Sequence, residues 1–205
     1  MFRQISWDIL LGSRTNPGNT SFKVIIMESG NKQMLIDALK ACGAVKFGDF
    51  TLASGKKSSY YIDIKKASTD PKTLKIIAKG ATALINGMNM AVVGGVALGG
   101  VPLATAVSLE SELPLVIIRK SEKEYGTGGR FIGDFEQGAR IVLLEDVTTS
   151  GGSVKDAIVA IRDAGAVVDT VITVVDRESG ATENLASIDV QLVPLVRASD
   201  LVQLS

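Results

Sequence analysis

Apolar positions along the chain recur with two rhythms. Met34, Leu35, Ala38, Leu39 and Cys42 fall at helical spacing, and Gly43 supplies a stop, so a first helix is predicted there. Two short strand-like runs follow, Phe50-Thr51-Leu52-Ala53 and Tyr60-Tyr61-Ile62-Asp63-Ile64. They flank Ser54-Gly55-Lys56-Lys57-Ser58, which predicts a hairpin. Asp70-Pro71 reads as a cap and a first-turn proline. Leu74, Ile77, Ala78, Ala81, Leu84 and Ile85 then carry an amphipathic helix to Gly87. Beyond it the runs Ala91 to Val93, Pro114 to Ile118, Ile141 to Leu144 and Val167 to Val175 are apolar almost throughout, as parallel strands covered on both faces must be. Helical patterns at Val101 to Leu109 and Ser153 to Ala164 separate the first pair and the last pair. This alternation predicts an α/β fold, a central mostly parallel sheet flanked by helices, with ligands beyond the carboxyl ends of the strands.

Composition narrows the chemistry. A chain of 205 residues with 46% hydrophobic content is long enough for one well-cored domain. Lys plus Arg equal Asp plus Glu at 22 each, so no global field draws the chain to nucleic acid or to an anionic membrane, and any anion site must be local. Cys42 is the single cysteine, which rules out an intramolecular disulfide and fits the reducing cytoplasm; its place on the apolar side of a helix reads as a small buried hydrophobe. The absence of histidine excludes imidazole mechanisms, among them the usual zinc sites and Ser/His triads. Near the N-terminus the apolar stretch around Ile9 to Leu11 is short and interrupted by Asp8, unlike a secretory signal. No run of about eighteen apolar residues predicts a membrane span. Residues 1–27, with Trp7, a turn-rich stretch from Gly12 to Thr20 and a second possible start at Met27, read as an N-terminal extension. Residues 28–66 then form an N-terminal helix and hairpin, and 67–205 the core of one compact unit.

The most informative run is Ile141-Val142-Leu143-Leu144-Glu145-Asp146-Val147-Thr148-Thr149-Ser150-Gly151-Gly152-Ser153. A buried strand ends in two carboxylates, and a small-residue loop opens a helix. Small side chains let backbone N–H groups approach a phosphate, hydroxyls add donors, and the helix N-terminus adds a favourable dipole. Glu145 and Asp146 would repel that anion unless another part of the ligand wants negative charge, as ribose hydroxyls and a developing oxocarbenium ion do. A bland alternative is a strand-to-helix turn with solvated acids. The run lacks the Gly-Lys-Ser/Thr ending of a P-loop, and its adjacent glycines follow the acids, unlike a dinucleotide fingerprint. It resembles the signature with which type I phosphoribosyltransferases bind phosphoribosyl pyrophosphate (PRPP), and implies that fold, PRPP contacts over Glu145, Asp146, Val147, Thr148, Thr149, Ser150, Gly151, Gly152 and Ser153, and a catalytic role for the two acids.

Other segments point to one branch. Arg119-Lys120-Ser121-Glu122-Lys123-Glu124-Tyr125-Gly126-Thr127-Gly128-Gly129 mixes cations with glycines, as expected of a basic lid closing over a charged leaving group, though an ordinary solvated loop has the same composition. It is similar to the catalytic loop of orotate phosphoribosyltransferases, which implies that Arg119, Lys120 and Lys123 are catalytic and bind PRPP together with Tyr125. Tyr125 stands where many bacterial members have histidine, so no proton-transfer role carries over. Phe50 to Tyr61 resembles the hood over the pyrimidine, with Ala53 in place of a common lysine; Lys56 or Lys57 could substitute. Asp176-Arg177-Glu178-Ser179-Gly180 is similar to the family's Asp-Arg-x-x-Gly element, which implies that Arg177 grips the orotate carboxylate in a forked pair and that Thr149 bonds the ring. Gly94 to Pro102 resembles the loop that receives pyrophosphate oxygens, with Gly99 where many members have lysine.

The resemblance spans roughly residues 30 to 205. It implies a homodimer, Mg²⁺ carried on PRPP with no protein metal ligand, and transfer of the phosphoribosyl group to orotate in UMP biosynthesis. Alternatives are a phosphoribosyltransferase of another base, or a ligand-sensing regulator on the same fold. The second needs a DNA-reading element, and the sequence offers none. Chemistry like that of PRPP synthetase needs an ATP site, which is likewise missing.

Overall fold

The computed structural model describes residues 9–15, 21–27, 29–51, 55, 57–121 and 129–202. Its centre is a six-stranded sheet. In chain order its strands are β5 (Val92–Val96), β6 (Leu115–Ile118), β7 (Phe131–Ile132), β8 (Arg140–Thr148), β9 (Val167–Asp176) and β10 (Gln191–Arg197). Across the sheet they lie in the order β10-β9-β8-β5-β6-β7, parallel except for β7.

The sheet is buried on both sides because its strands are apolar at successive positions. Along β8, Val142 and Leu144 face a core shared with α1 (Ser29–Ala41), α3 (Pro71–Asn86) and α4 (Gly100–Ser111). Ile141 and Leu143 point the other way, to α5 (Gly152–Asp163) and α6 (Ala181–Ala186). All four are at most 1% exposed. Each such side chain contributes about 1.5–3 kcal/mol on burial, so the strand that carries the signature loop is anchored from both faces.

The helix boundaries follow their caps. Asp70 accepts hydrogen bonds from the Thr73 amide (2.8 Å) and hydroxyl (2.6 Å), and Pro71 opens α3 behind it, as the sequence predicts. Gly43 (φ 72°) stands just beyond α1. Cys42 is half-buried against the core, its thiol donating to the Leu39 carbonyl at 3.4 Å.

Two small hairpins form sheets of their own beside the central one. β3 (Val45–Thr51) and β4 (Lys57–Ile62) form the predicted hairpin, but its first strand begins five residues earlier than the predicted Phe50, with a register break between Phe47 and Phe50. Polar residues at 46 and 49 concealed that strand from the apolar pattern. β1 (Ile9–Thr15) pairs antiparallel with β2 (Ser21–Met27) within the N-terminal extension, and β2 lies against β10 and α3. Three further short elements, α2 (Ile64–Thr69), α6 and α7 (Ala198–Val202), have too few residues to show a helical period.

Candidate active site

β8 runs further than its apolar pattern predicts. Glu145 to Thr148 stay in the strand because β9 is ten residues long and keeps pairing with them: Glu145 lies opposite Thr173, and Thr148 opposite Asp176. The two acids therefore sit on a rigid element near its carboxyl end.

The chain then turns through Thr149 and Ser150 to Gly151, whose φ of 79° is the left-handed conformation that glycine adopts without strain. No side chain caps α5, so the first amides of that twelve-residue helix remain available to an anion. Glu145 and residues 147–154 line a cavity of about 80 Å³ at this helix mouth. The nine positions predicted to bind PRPP in this run are thus brought together, with Asp146 beside the cavity.

Within the acid pair the electrostatics are uneven. Glu145 is half-buried, and its Oε2 is sealed from solvent with no hydrogen-bond partner among the described residues. Burial first, then hydrogen bonding with and repulsion by Asp146, push the Glu145 carboxyl up to about 8, against a smaller downward pull from Lys120. This favours the protonated form of Glu145 near neutral pH. Asp146 accepts a hydrogen bond from the Val147 amide at 2.8 Å, and its carboxylate lies against Gly99, the residue that precedes α4.

Arg119 and Lys120 follow β6 and reach a second cavity, of about 120 Å³, bounded also by Val96, Arg130, Ser153 and Asp156. Ser153 belongs to both cavities, so the cations stand next to the helix mouth. The stem of the basic loop is closed by backbone and side chain together. The Arg119 amide donates to the Arg130 carbonyl (2.9 Å), Arg130 Nε to the Arg119 carbonyl (3.2 Å), and Arg119 Nη1 to the Gly129 carbonyl (3.3 Å). Lys123 and Tyr125 lie outside the described residues. Arg130 was missed in the sequence; its one visible sign is a position at the far end of the basic loop, mirroring Arg119.

Arg177 is half-buried just past β9, its amide donating to the Thr148 carbonyl at 2.9 Å. Under it lies Asp176, 3% exposed, whose Oδ1 accepts from the Glu178 amide (3.0 Å) and the Thr148 hydroxyl (3.4 Å). Glu178 has φ 54° and accepts a hydrogen bond from the Ser199 amide at 2.9 Å. Arg177 is thereby fixed beside the loop that opens α5 from either side in sequence. In the hairpin, Phe50 and Tyr61 are in ring contact at 5.7 Å, and Lys57 donates to Thr51 at 2.9 Å; Ala53 and Lys56 lie outside the described residues.

An uncapped helix mouth, paired acids on the adjoining strand and cations beside it stand together in this chain, and the chain belongs to the phosphoribosyltransferase family. The family's model, described as phosphoribosyl transferase domain, matches residues 63–193. The similar proteins narrow this to the orotate phosphoribosyltransferases. The chain is 68% identical over 181 residues to the orotate phosphoribosyltransferase of Methanosarcina mazei, covering 86% of this chain and 97% of that one. It is 49% identical over 170 residues to that of Methanocaldococcus jannaschii, covering 83% and 96%. Among solved structures, orotate phosphoribosyltransferase from Aeropyrum pernix superposes with a TM-score of 0.73 at 35% identity, over 83% of this chain and 97% of that one. The Mycobacterium tuberculosis H37Rv enzyme in complex with PRPP superposes with a TM-score of 0.69 at 27% identity, over 83% and 98%.

Proposed function

We infer that the chain transfers the 5-phosphoribosyl group of PRPP to orotate, forming orotidine 5′-phosphate and pyrophosphate in UMP biosynthesis. One observation carries this reading: Glu145 and Asp146 stand on the strand that leads directly into the uncapped α5 mouth, with Arg177 tied by its amide to the same strand. A phosphorylated ribose fits this arrangement, with its 5′-phosphate against residues 148–153 and its hydroxyls toward the acids.

Orotate N1 gives up its proton to the departing pyrophosphate or to water and bonds to the anomeric carbon as the bond to pyrophosphate breaks, with inversion and through an oxocarbenium-like state. Glu145 and Asp146 hold the ribose hydroxyls, and negative charge on the pair favours the cation forming beside it. Arg119, Lys120 and Lys123, with Tyr125 as a hydrogen-bonding neighbour, stabilise the departing pyrophosphate. Arg177 pairs with the orotate carboxylate through both arms of its guanidinium, and Thr149 bonds the ring. A purine or uracil has no such carboxylate, so the forked pair sets base choice. Mg²⁺ carried on PRPP would neutralise pyrophosphate charge, and the hard carboxylate oxygens of Asp146 beside the cavity suit the waters of such an ion.

Exposed Leu98 and Leu109, 78% and 79% accessible at the start and end of the α4 region, supply apolar surface for the homodimer that the family resemblance implies. Among the described residues no helix is long and apolar enough to cross a membrane, and with a single cysteine the chain suits the cytoplasm. The decisive assay is loss of orotate absorbance on adding PRPP and Mg²⁺. Loss that requires both additions is expected; no loss, or equal turnover of uracil or a purine, overturns the assignment.

A further inference from the structure

Pyrophosphate leaves with several negative charges, and the acids of this site repel it. Cations must therefore face it from the other side. The residues between β5 and α4, Ala97, Leu98 and Gly99, bring none. The cavity beyond Ser153 does. Arg119, Lys120 and Arg130 border it with a single acid, Asp156, and none of the four belongs to an ion pair among the described residues.

Their freedom to bind an anion differs. Arg119 spends one Nη on the Gly129 carbonyl. Arg130 uses only Nε, toward the Arg119 carbonyl, and that bond fixes the plane of its guanidinium while both Nη groups have no partner among the described residues. A guanidinium held by Nε presents the two-pronged edge that matches a phosphate. The Arg119 amide bond to the Arg130 carbonyl holds its backbone on the β6–β7 stem, so the presentation is rigid.

We propose that Arg130 is a further pyrophosphate-binding residue, gripping the leaving group with Lys120 in the cavity between the β6–β7 stem and the first turns of α5. This rests on the phosphoribosyl-transfer reading and adds a residue to it.

The test uses the full chain and two variants, Arg130→Gln and Arg130→Lys. Magnesium pyrophosphate is titrated calorimetrically into each protein, and KM is measured separately for PRPP and orotate. Arg130→Gln is expected to weaken pyrophosphate binding and raise the PRPP KM by about tenfold or more, the effect of losing a hydrogen bond to a charged group. The orotate KM should not move, and Arg130→Lys should recover part of the loss by restoring the charge. Pyrophosphate binding by Arg130→Gln equal to that of the parent overturns the proposal. So does an equal rise in both KM values with a lowered Tm, the mark of a residue that only braces the stem. Should the parent fail to form orotidine 5′-phosphate, the functional reading falls, while the pyrophosphate titration still decides whether Arg130 binds the anion.

Discussion

Asp146 occupies the space that a side chain at Gly99 would fill. A Cβ placed on Gly99 would stand 2.5 Å from Asp146 Oδ2 and 2.7 Å from its Cγ, well inside contact distance. The carboxylate is also held by the Val147 amide, so it cannot swing away without losing that bond. Gly99→Ala should therefore displace Asp146. A shift of about 1 Å in a group that meets the transition state costs on the order of a hundredfold in rate. Turnover should fall by that order with the fold intact by circular dichroism, and Gly99→Lys should be no better despite its charge. A Gly99→Ala enzyme with the parent's kcat would show that Asp146 placement is unimportant.

Glu145 should make activity and stability depend on pH in a defined direction. Its carboxyl titrates near 8 in the folded chain, chiefly through burial, against an ordinary value of 4.5. A raised carboxyl favours the folded state while protonated, and this contribution is lost as pH climbs from the ordinary value through 8. The proposed chemistry needs the opposite form. kcat/KM for PRPP should rise between pH 6.5 and 8.5, while the melting temperature falls over the same interval. Glu145→Gln should flatten both trends and lower kcat. An identical pH profile for the parent and Glu145→Gln would remove the group from the mechanism.

Arg177→Ala should weaken orotate far more than PRPP. A forked pair to a carboxylate involves two charge-assisted bonds, each stronger than a neutral one, so the orotate KM should rise by about a hundredfold, with the PRPP KM little changed. Steady-state kinetics with each substrate varied in turn decides this. Equal effects on both substrates would assign Arg177 to the frame of the site, away from the base.

Much of the candidate site is legible in the sequence because its residues are contiguous there. The strand, the two acids, the hydroxyls and the glycines at 141–153 form one run, and nearly continuous apolar runs in the core strands predict a parallel sheet. What stayed hidden depends on contacts distant in sequence. The extension of β8 through Thr148 comes from pairing with β9, a partner no local pattern names. The cationic cavity joins β5, the β6–β7 stem and α5, and Arg130 has no meaning until those elements meet. β10 escaped because Gln191 and Pro194 interrupt its apolar run, and α6 because six residues are too few for a period.

Lys123→Ala should act on turnover more than on ground-state affinity. A cation that meets charge forming on the leaving group lowers the barrier without binding the substrate equally well, so its loss should appear in kcat. Loss of one such donor costs about 10²- to 10³-fold. Single-turnover measurement of orotidine 5′-phosphate formation separates this from slow product release. A variant with the parent's chemical step would exclude Lys123 from the mechanism.

Asp176 offers the strictest test of how Arg177 is held. Its buried Oδ1 receives the Glu178 amide and the Thr148 hydroxyl, joining the turn that carries Arg177 to the strand that opens the phosphate loop. Asp176→Ala leaves those donors without an acceptor inside the fold, at a cost of about 1–3 kcal/mol. At about 2–4 °C per kcal/mol for a chain of this size, the melting temperature should drop by several degrees. The Arg177 turn should loosen with it, raising the orotate KM. Asp176→Asn keeps an oxygen at Oδ1 and should recover most of both effects, since the role rests on accepting hydrogen bonds and not on charge. If Asp176→Asn is as damaging as Asp176→Ala, the carboxylate's charge is what the site requires, and the positioning account fails.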